Sequence, residues 1–413
     1  MKIKSIRKST LSEPKSFYDI TVDKHHNFII SNAMIVTHNS SLSSSIVGMA
    51  QNFKNSMPVL EAIGQFGSLR SPESAAARYI STKLHKNFRL LYMDFDLLTP
   101  RYEEGNEIEP QYFLPIIPTV LLNGGSGIAV GFATNILNRN PIDLIDACVK
   151  ALDGKSFKEP TPWYFGFNGP VARETSGDLS WTFRGRYDIR NTTTVDVTEL
   201  PPSMTYEKFD AYLSDLEDAN RITGYENHCQ SNVAYTLKFR REDLKTLTEN
   251  GRLDKFLKIL EKDSENFTVL DEHGNLKIFD SAIEIIEYFV KFRLTYYFKR
   301  KQHLIDTLTH EATAMSAKSA FIKAIIDGKL KITNTPKAEI VTFLEKNKYY
   351  QVNGSYQYLL AMPIHNLTAE MYSSLISDEK AKWDEVAVTK KKDPSEMYRA
   401  DLLELRKVLV KSY

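Results

Sequence analysis

Arg78 and Tyr79 stand side by side at the end of the run Gly64-Gln-Phe-Gly-Ser-Leu-Arg-Ser-Pro-Glu-Ser-Ala-Ala-Ala-Arg-Tyr79. A phenol beside a fixed guanidinium has the makings of a nucleophile for a phosphodiester, with the cation taking up charge on the phosphoryl oxygens. The chain holds 21 tyrosines, and most tyrosines pack or sit at amphipathic surfaces, so the pair alone decides nothing. Asp94-Phe-Asp96 has the spacing of a metal-binding pair and equally that of two outward carboxylates on a strand. Asn123-Gly-Gly-Ser-Gly-Ile-Ala-Val-Gly131 is glycine-rich but lacks the Gly-Lys-[Ser/Thr] of a phosphate loop, which speaks against ATP binding here. Lys83, Lys86 and Arg89 near the tyrosine, and Arg184 with Arg186 further on, offer cations to a phosphate backbone. A solvated surface is the plain alternative for each.

The elements that must carry these groups follow from pattern. Ser71 before Pro72 and Glu73 predicts a helix start, with the alanines continuing it to Tyr79. Residues 40–53 predict a helix with Leu42, Ile46, Met49 and Ala50 on one side. Pro160 to Gly169, rich in proline, glycine and aromatics, predicts a linker. Trp181 to Arg190 and Thr192 to Leu200 alternate as strands of an antiparallel sheet. From Ser281 the apolar residues Val290, Leu294, Tyr297, Leu304, Leu308 and Met315 keep a step of about 3.5, which predicts a long arm helix. Leu367 to Asp384 and Tyr398 to Val410 are expected to return antiparallel to it, with residues 317–358 forming a compact knob at its tip.

Composition bounds the class. A chain of 413 residues with 42% hydrophobic and 25% charged content has room for two to four globular domains. It has no apolar run of the roughly 20 residues needed to span a membrane and no signal-peptide core. Cys148 and Cys229 are the only cysteines, without the spacing of a zinc site, and fit a reducing cytoplasm, that of a host if the chain is viral. The net charge of +1 does not advertise a nucleic-acid binder, so any such role must rest on local clustering.

Met49-Ala-Gln51, Gly64-Gln-Phe-Gly-Ser68, Ser74-Ala-Ala-Ala-Arg-Tyr79 and Pro118-Thr-Val-Leu-Leu-Asn-Gly-Gly-Ser-Gly-Ile-Ala-Val-Gly-Phe-Ala-Thr-Asn135 resemble, in order and spacing, the breakage-reunion subunit of type IIA DNA topoisomerases. In size the chain is similar to the medium subunits of tailed-phage topoisomerases. The resemblance implies an α+β multidomain fold: a winged-helix DNA gate over 40–159, an antiparallel-sheet tower over 160–276, and over 277–413 a long antiparallel helical arm with a globular dimer-gate tip. It implies cleavage of duplex DNA by Tyr79, assisted by Arg78, with a 5′-phosphotyrosyl intermediate. Ile128 becomes the apolar wedge between base steps, where the residues alone would favour a buried strand isoleucine. Ser40 and Ser44 become neighbours of the break, and Lys83, Arg184 and Arg186 contacts to the duplex. A homodimer through the tip is implied, together with a large subunit that supplies both ATP hydrolysis and Mg2+ on its own acidic fold. Without the β-pinwheel of gyrase, relaxation and decatenation are implied rather than supercoiling. Leu137-Asn-Arg-Asn140 departs from the family's double proline and leaves that turn open.

Residues 1–39 are different in kind. Phe17 to Phe28 and Ile29 to Asn39 alternate as strands and resemble the C-terminal block of an intein, a β-rich fragment ending in His38-Asn39-Ser40. In such a block Asn39 cyclises onto its own carbonyl, His38 and His26 serve the leaving amide, Ser40 receives the upstream segment as an ester, and Asp19 is a further acid/base candidate. An ordinary turn after a small hairpin is the alternative. The family's His-Pro-His-Gly stretch is not found upstream of Ser40. The expectation is therefore a split intein: a separate polypeptide carries the front of the gate fused to the N-terminal intein half, and trans-splicing joins the two at Ser40. A mis-assigned start within a contiguous intein is the rival. A different reading of the whole chain is a non-catalytic, DNA-binding and dimerising remnant whose only live chemistry is intein autoprocessing.

Overall fold

The computed structural model describes residues 3–10, 16–22, 27–30, 35–129, 131–175, 179–230, 232–363 and 369–411, with side chains from Leu42 onward. The chain forms two compact units. One comprises residues 1–291 and 401–413, the other residues 292–400.

The first unit begins with two short antiparallel pairs, Ile3–Thr10 with Ser16–Val22 and Asn27–Ile30 with Ile35–His38. The helix Asn39–Ala50 follows directly. Of its expected apolar face only Ala50 is buried, while Leu42 and Met49 are exposed. Leu60–Ile63 and Ser81–Leu84 then pair antiparallel, Ile63 opposite Ser81, and the intervening loop carries Arg78 and Tyr79. Met57, Leu91, Ile116, Ile117, Leu121, Leu122, Leu144 and Ile145 are buried core residues of this unit. Asn123 ties this core together, exchanging two 2.9 Å hydrogen bonds with the backbone N–H and carbonyl of Met57. Such reciprocal pairing leaves neither amide group of Asn123 unsatisfied in a partly buried place.

The glycine-rich stretch is a hairpin, Gly125–Ala129 against Phe132–Ile136, with Ile128 opposite Ala133. Gly124 starts it at φ +63°, where a Cβ would lie 2.4 Å from the Ile136 carbonyl oxygen, so only glycine lets the two strands leave so close together. The turn left open at Leu137-Asn-Arg-Asn140 is built by polar side chains. Asn140 caps the helix Pro141–Leu152 by accepting from the Ile142 N–H at 2.8 Å, and proline fits the first turn.

Residues 160–169, expected as a linker, are packed: Tyr164 and Phe167 lie edge-on against buried Phe183, and the Trp163 N–H donates to Asn138 O at 2.8 Å. Trp181 to Arg190, expected in one antiparallel sheet, is shared between two. It divides at Gly185, whose N–H donates to Ile259 O and where a Cβ would stand 2.3 Å from Glu199 O. Ser180–Arg184 joins a three-stranded sheet between Val171–Arg173 and Leu260–Ser264. Arg186–Asn191 joins a four-stranded antiparallel sheet with Thr194–Glu199, Tyr235–Lys238 and Gly224–Asn227. The helix Tyr206–Asp218 covers that sheet, burying Phe209 and Leu213 with Val195, Val197, Tyr235 and Leu237.

The helix Ala282–Ile326 runs for 45 residues from the first unit into the second. Within the second unit Ala369–Lys391 lies antiparallel to it: Lys382 pairs with Glu311 at 3.1 Å, and Glu379 accepts from Ser316, five residues further along. Tyr297 stacks on Tyr398, from the helix Pro394–Leu409, with centroids 4.5 Å apart. Of the expected seam Tyr297 is fully buried and Leu304 exposed. Phe321, Ala324, Leu330, Ile340, Leu344, Tyr356 and Leu359 form a separate core in the same unit.

Candidate active site

The Arg78–Tyr79 segment is positioned by hydrogen bonds rather than by a helix. Residues 71–76 form neither helix nor strand, Ala76 having φ −57° and ψ 143°, and only Ala77–Tyr79 makes a single 3-10 turn. The backbone groups that a helix would have used are taken by the loop itself. The Ala75 N–H donates to Gln65 O at 3.0 Å, and the Ser68 N–H to Ser71 O at 2.8 Å. Buried Gln51 donates from Nε2 to Phe66 O at 2.7 Å and Pro72 O at 3.1 Å, clamping both arms of the loop together. Gly67, at φ +87°, lets the arms touch, since a Cβ there would lie 2.4 Å from Pro72 O.

The loop presents Tyr79 with 69% of its surface exposed. The Arg78 guanidinium lies over the Tyr79 ring, 4.8 Å from its centroid. Among the described residues no carboxylate pairs with Arg78, whose recorded partner is the Tyr79 ring. A guanidinium stacked on the phenol it accompanies keeps cation and oxygen on one surface and is suited to a phosphate group.

Ile128 stands on the glycine hairpin with 95% of its surface exposed, the opposite of a buried strand isoleucine. The other expected contacts are differently placed. Lys83 pairs with Glu61 at 3.4 Å, Arg184 with Asp254 at 2.9 Å, and Arg186 with Glu199 at 3.5 Å. All three cations keep about half or more of their surface in solvent, where such pairs exchange readily. Ser44 is exposed on the helix Asn39–Ala50. Ser40 and Asn39 open that helix, His38 ends the strand Ile35–His38 opposite Asn27, and Asp19 lies opposite Arg7; these four are described as backbone only. His26 lies outside the described residues. Asp94 is buried and Asp96 exposed, so they are not the outward pair the spacing allowed. Among the described residues no three His, Cys, Asp or Glu side chains gather as a metal site. Among those residues no helix is long and apolar enough to cross a membrane.

One cluster was not anticipated. Arg139 and Glu265, 126 residues apart, form a 2.7 Å ion pair with both side chains fully buried. Glu265 also accepts from Trp181 Nε1 at 2.8 Å and from the Leu137 N–H at 2.9 Å. Arg139 donates from Nε to Pro160 O at 2.7 Å and from Nη1 to Leu137 O at 2.8 Å. Nothing in the local pattern of either residue separates such a pair from surface charge.

On this mixed α/β fold a phenol and guanidinium are displayed on a glycine-supported loop, and an exposed isoleucine stands on a glycine hairpin. The profile of the family of DNA gyrase and topoisomerase IV A subunits matches residues 33–404, and the chain belongs to this family. It is 33% identical over 395 residues to the mitochondrial DNA topoisomerase 2 of Dictyostelium discoideum, covering 90% of this chain and 30% of that protein. To the DNA topoisomerase medium subunit of Enterobacteria phage T4 it is 33% identical over 363 residues, covering 87% of this chain and 80% of that one. The crystal structure of the Plasmodium falciparum topoisomerase II DNA-binding, cleavage and re-ligation domain superposes with a TM-score of 0.80 at 29% identity, over 91% of this chain and 56% of that chain. The chain thus spans less than a third of the Dictyostelium enzyme's length and four fifths of the phage protein's.

Proposed function

We propose that this chain performs the DNA cleavage and rejoining of an ATP-dependent type II topoisomerase. Tyr79 Oη attacks a backbone phosphorus, and as the new P–O bond forms the bond to O3′ breaks. The phenol gives up its proton and O3′ takes one up. The bond energy is kept in the 5′-phosphotyrosyl ester, so return attack by the 3′ hydroxyl reseals the strand. Arg78 neutralises charge on the phosphoryl oxygens in the transition state. Ile128 enters between base steps and bends the duplex. Lys83, Arg184 and Arg186 exchange their carboxylates for phosphates along the duplex, and Ser40 and Ser44 lie close to the break. A second copy, joined through the knob in residues 317–358, cuts the other strand. A large subunit binds the Mg2+ and hydrolyses the ATP.

The observation that carries this proposal is the exposed Tyr79 phenol beneath the Arg78 guanidinium. Its test is to denature the reconstituted enzyme on plasmid and look for protein joined to DNA 5′ ends. The adduct is expected with the natural sequence and abolished in Tyr79→Phe. An adduct that survives the substitution sinks the assignment.

Residues 1–39 are proposed to be the C-terminal half of a split intein, supported by the His38-Asn39-Ser40 sequence and by the Asn27–Ile30/Ile35–His38 pairing that ends beside it. Asn39 releases the intein by cyclisation, and Ser40 becomes joined to a separately made front of the gate. Mixing with that polypeptide is expected to yield a product made of both flanking segments, and Asn39→Ala to prevent it. Splicing that proceeds normally with alanine would rule the assignment out.

A further inference from the structure

Resting on the proposed role of Ile128, we infer that Glu265 is a positioning residue for the wedge, acting through the root of the hairpin that carries it. Three sets of contacts converge there. The hairpin strand Phe132–Ile136 is riveted along its outer edge, Asn135 and Asn266 exchanging backbone hydrogen bonds of 3.1 and 2.8 Å. The Asn135 side chain adds bonds to Asp263 Oδ1 at 2.8 Å and Ser264 O at 2.9 Å, and Thr134 Oγ1 donates to Asn266 O at 3.2 Å. One residue along from Asn266, Glu265 receives the Leu137 N–H, the Arg139 guanidinium and the Trp181 indole. The hairpin's other strand, Gly125–Ala129, has only exposed residues and pairs with no strand besides Phe132–Ile136 among the described residues.

The wedge therefore takes its bearing from one side only. Ile128, 95% exposed, has almost no packing of its own to fix it. A buried, multiply bonded ion pair is stiff, because any rotation of the hairpin about its root would separate charges in a water-free place. Glu265 in this way converts a flexible glycine ribbon into an arm that pushes against base pairs. Its work is against the deformation of the duplex and does not touch the reacting atoms.

Such a role has a signature that plain loss of folding lacks. Cleavage of an intact duplex requires the wedge to do the bending, whereas a duplex already kinked by a mismatch at the wedge step does not. In the reconstituted complex Glu265→Gln is expected to lower the Tyr79 adduct on intact duplex by about tenfold and on the kinked duplex by less than about twofold, a tenfold factor being about 1.4 kcal/mol of bending work. Ile128→Ala should reproduce the same split, and the double variant should be no worse than either single one. Asn135→Ala, which leaves the buried pair intact and removes two bonds from the rivet, should show a milder form of it and covers the case in which Glu265→Gln fails to fold. Equal losses on both duplexes for Glu265→Gln and Asn135→Ala would overturn the inference. Absence of any Tyr79-dependent adduct from the unaltered protein would instead defeat the proposed function itself.

Discussion

Tyr79 and Ile128 are side chains placed where ordinary folding would not leave them, one a phenol and the other a bare aliphatic group, both facing water. What holds the first is a loop with one indispensable glycine. Gly67→Ala must adopt φ +87° and push a methyl into Pro72 O, so it is expected to cost about 1–3 kcal/mol of stability in urea unfolding. Adduct formation should fall further than stability does, because the parted arms belong to the loop that carries Arg78 and Tyr79. A variant as stable and as active as the natural protein would show that the loop has another support. The Arg78–Tyr79 pair could be singled out in the sequence because its neighbours are a recognisable run, and the structure adds its exposure and stacking. The Arg139–Glu265 pair was not, since a buried charge and a surface charge are spelled alike and only the fold brings the two together.

Among the elements, the strands and long helices follow their periodicity, and the departures have local causes. The predicted helix from Ser71 is absent because Gln51 and Gln65 claim the loop's carbonyls and N–H groups before a helix can. Trp181 to Arg190 alternates throughout, yet Gly185 lets Glu199 approach so closely that the chain passes from one sheet to another. The hairpin Phe267–Leu270/Leu276–Phe279 offers a pH test. The Asp271 carboxylate accepts from the N–H of Asn275 at 2.8 Å and of His273 at 2.9 Å, and the Asn275 bond foremost holds its pKa below the ordinary aspartate value. A lowered acid stabilises the fold above its unfolded pKa and ceases to do so as pH falls through the folded one. Asp271→Asn is therefore expected to unfold at lower urea than the natural protein near neutrality, with the gap closing as the pH drops below about 4. A gap independent of pH would assign the turn's stability to something other than the charge.

On the proposed function each chain contributes one nucleophile, Tyr79, so cutting both strands of a duplex would take two chains. Co-expression of the natural sequence with Tyr79→Phe is expected to give mixed dimers that nick plasmid, alongside pure dimers that make it linear. Linear product that merely declines, with no nicks appearing, would mean that the two strands are not divided between two tyrosines. The arm was legible at this scale: an apolar step of about 3.5 can be kept only by helix against helix, and Ala282–Ile326 with Ala369–Lys391 is that arrangement. Less legible was its uneven burial, Tyr297 being enclosed and Leu304 left open, since periodicity says which residues share a stripe and not whether anything covers them.

In the wedge role proposed for Ile128, its exposure bears on reversibility. Taking that side chain out of water yields on the order of 2 kcal/mol, while opening a base step for it costs a few kcal/mol. The two quantities nearly cancel, so a duplex can be folded over the hairpin without being trapped there. Once its strands are whole again, the stiffness of the double helix suffices to straighten it and lift it away.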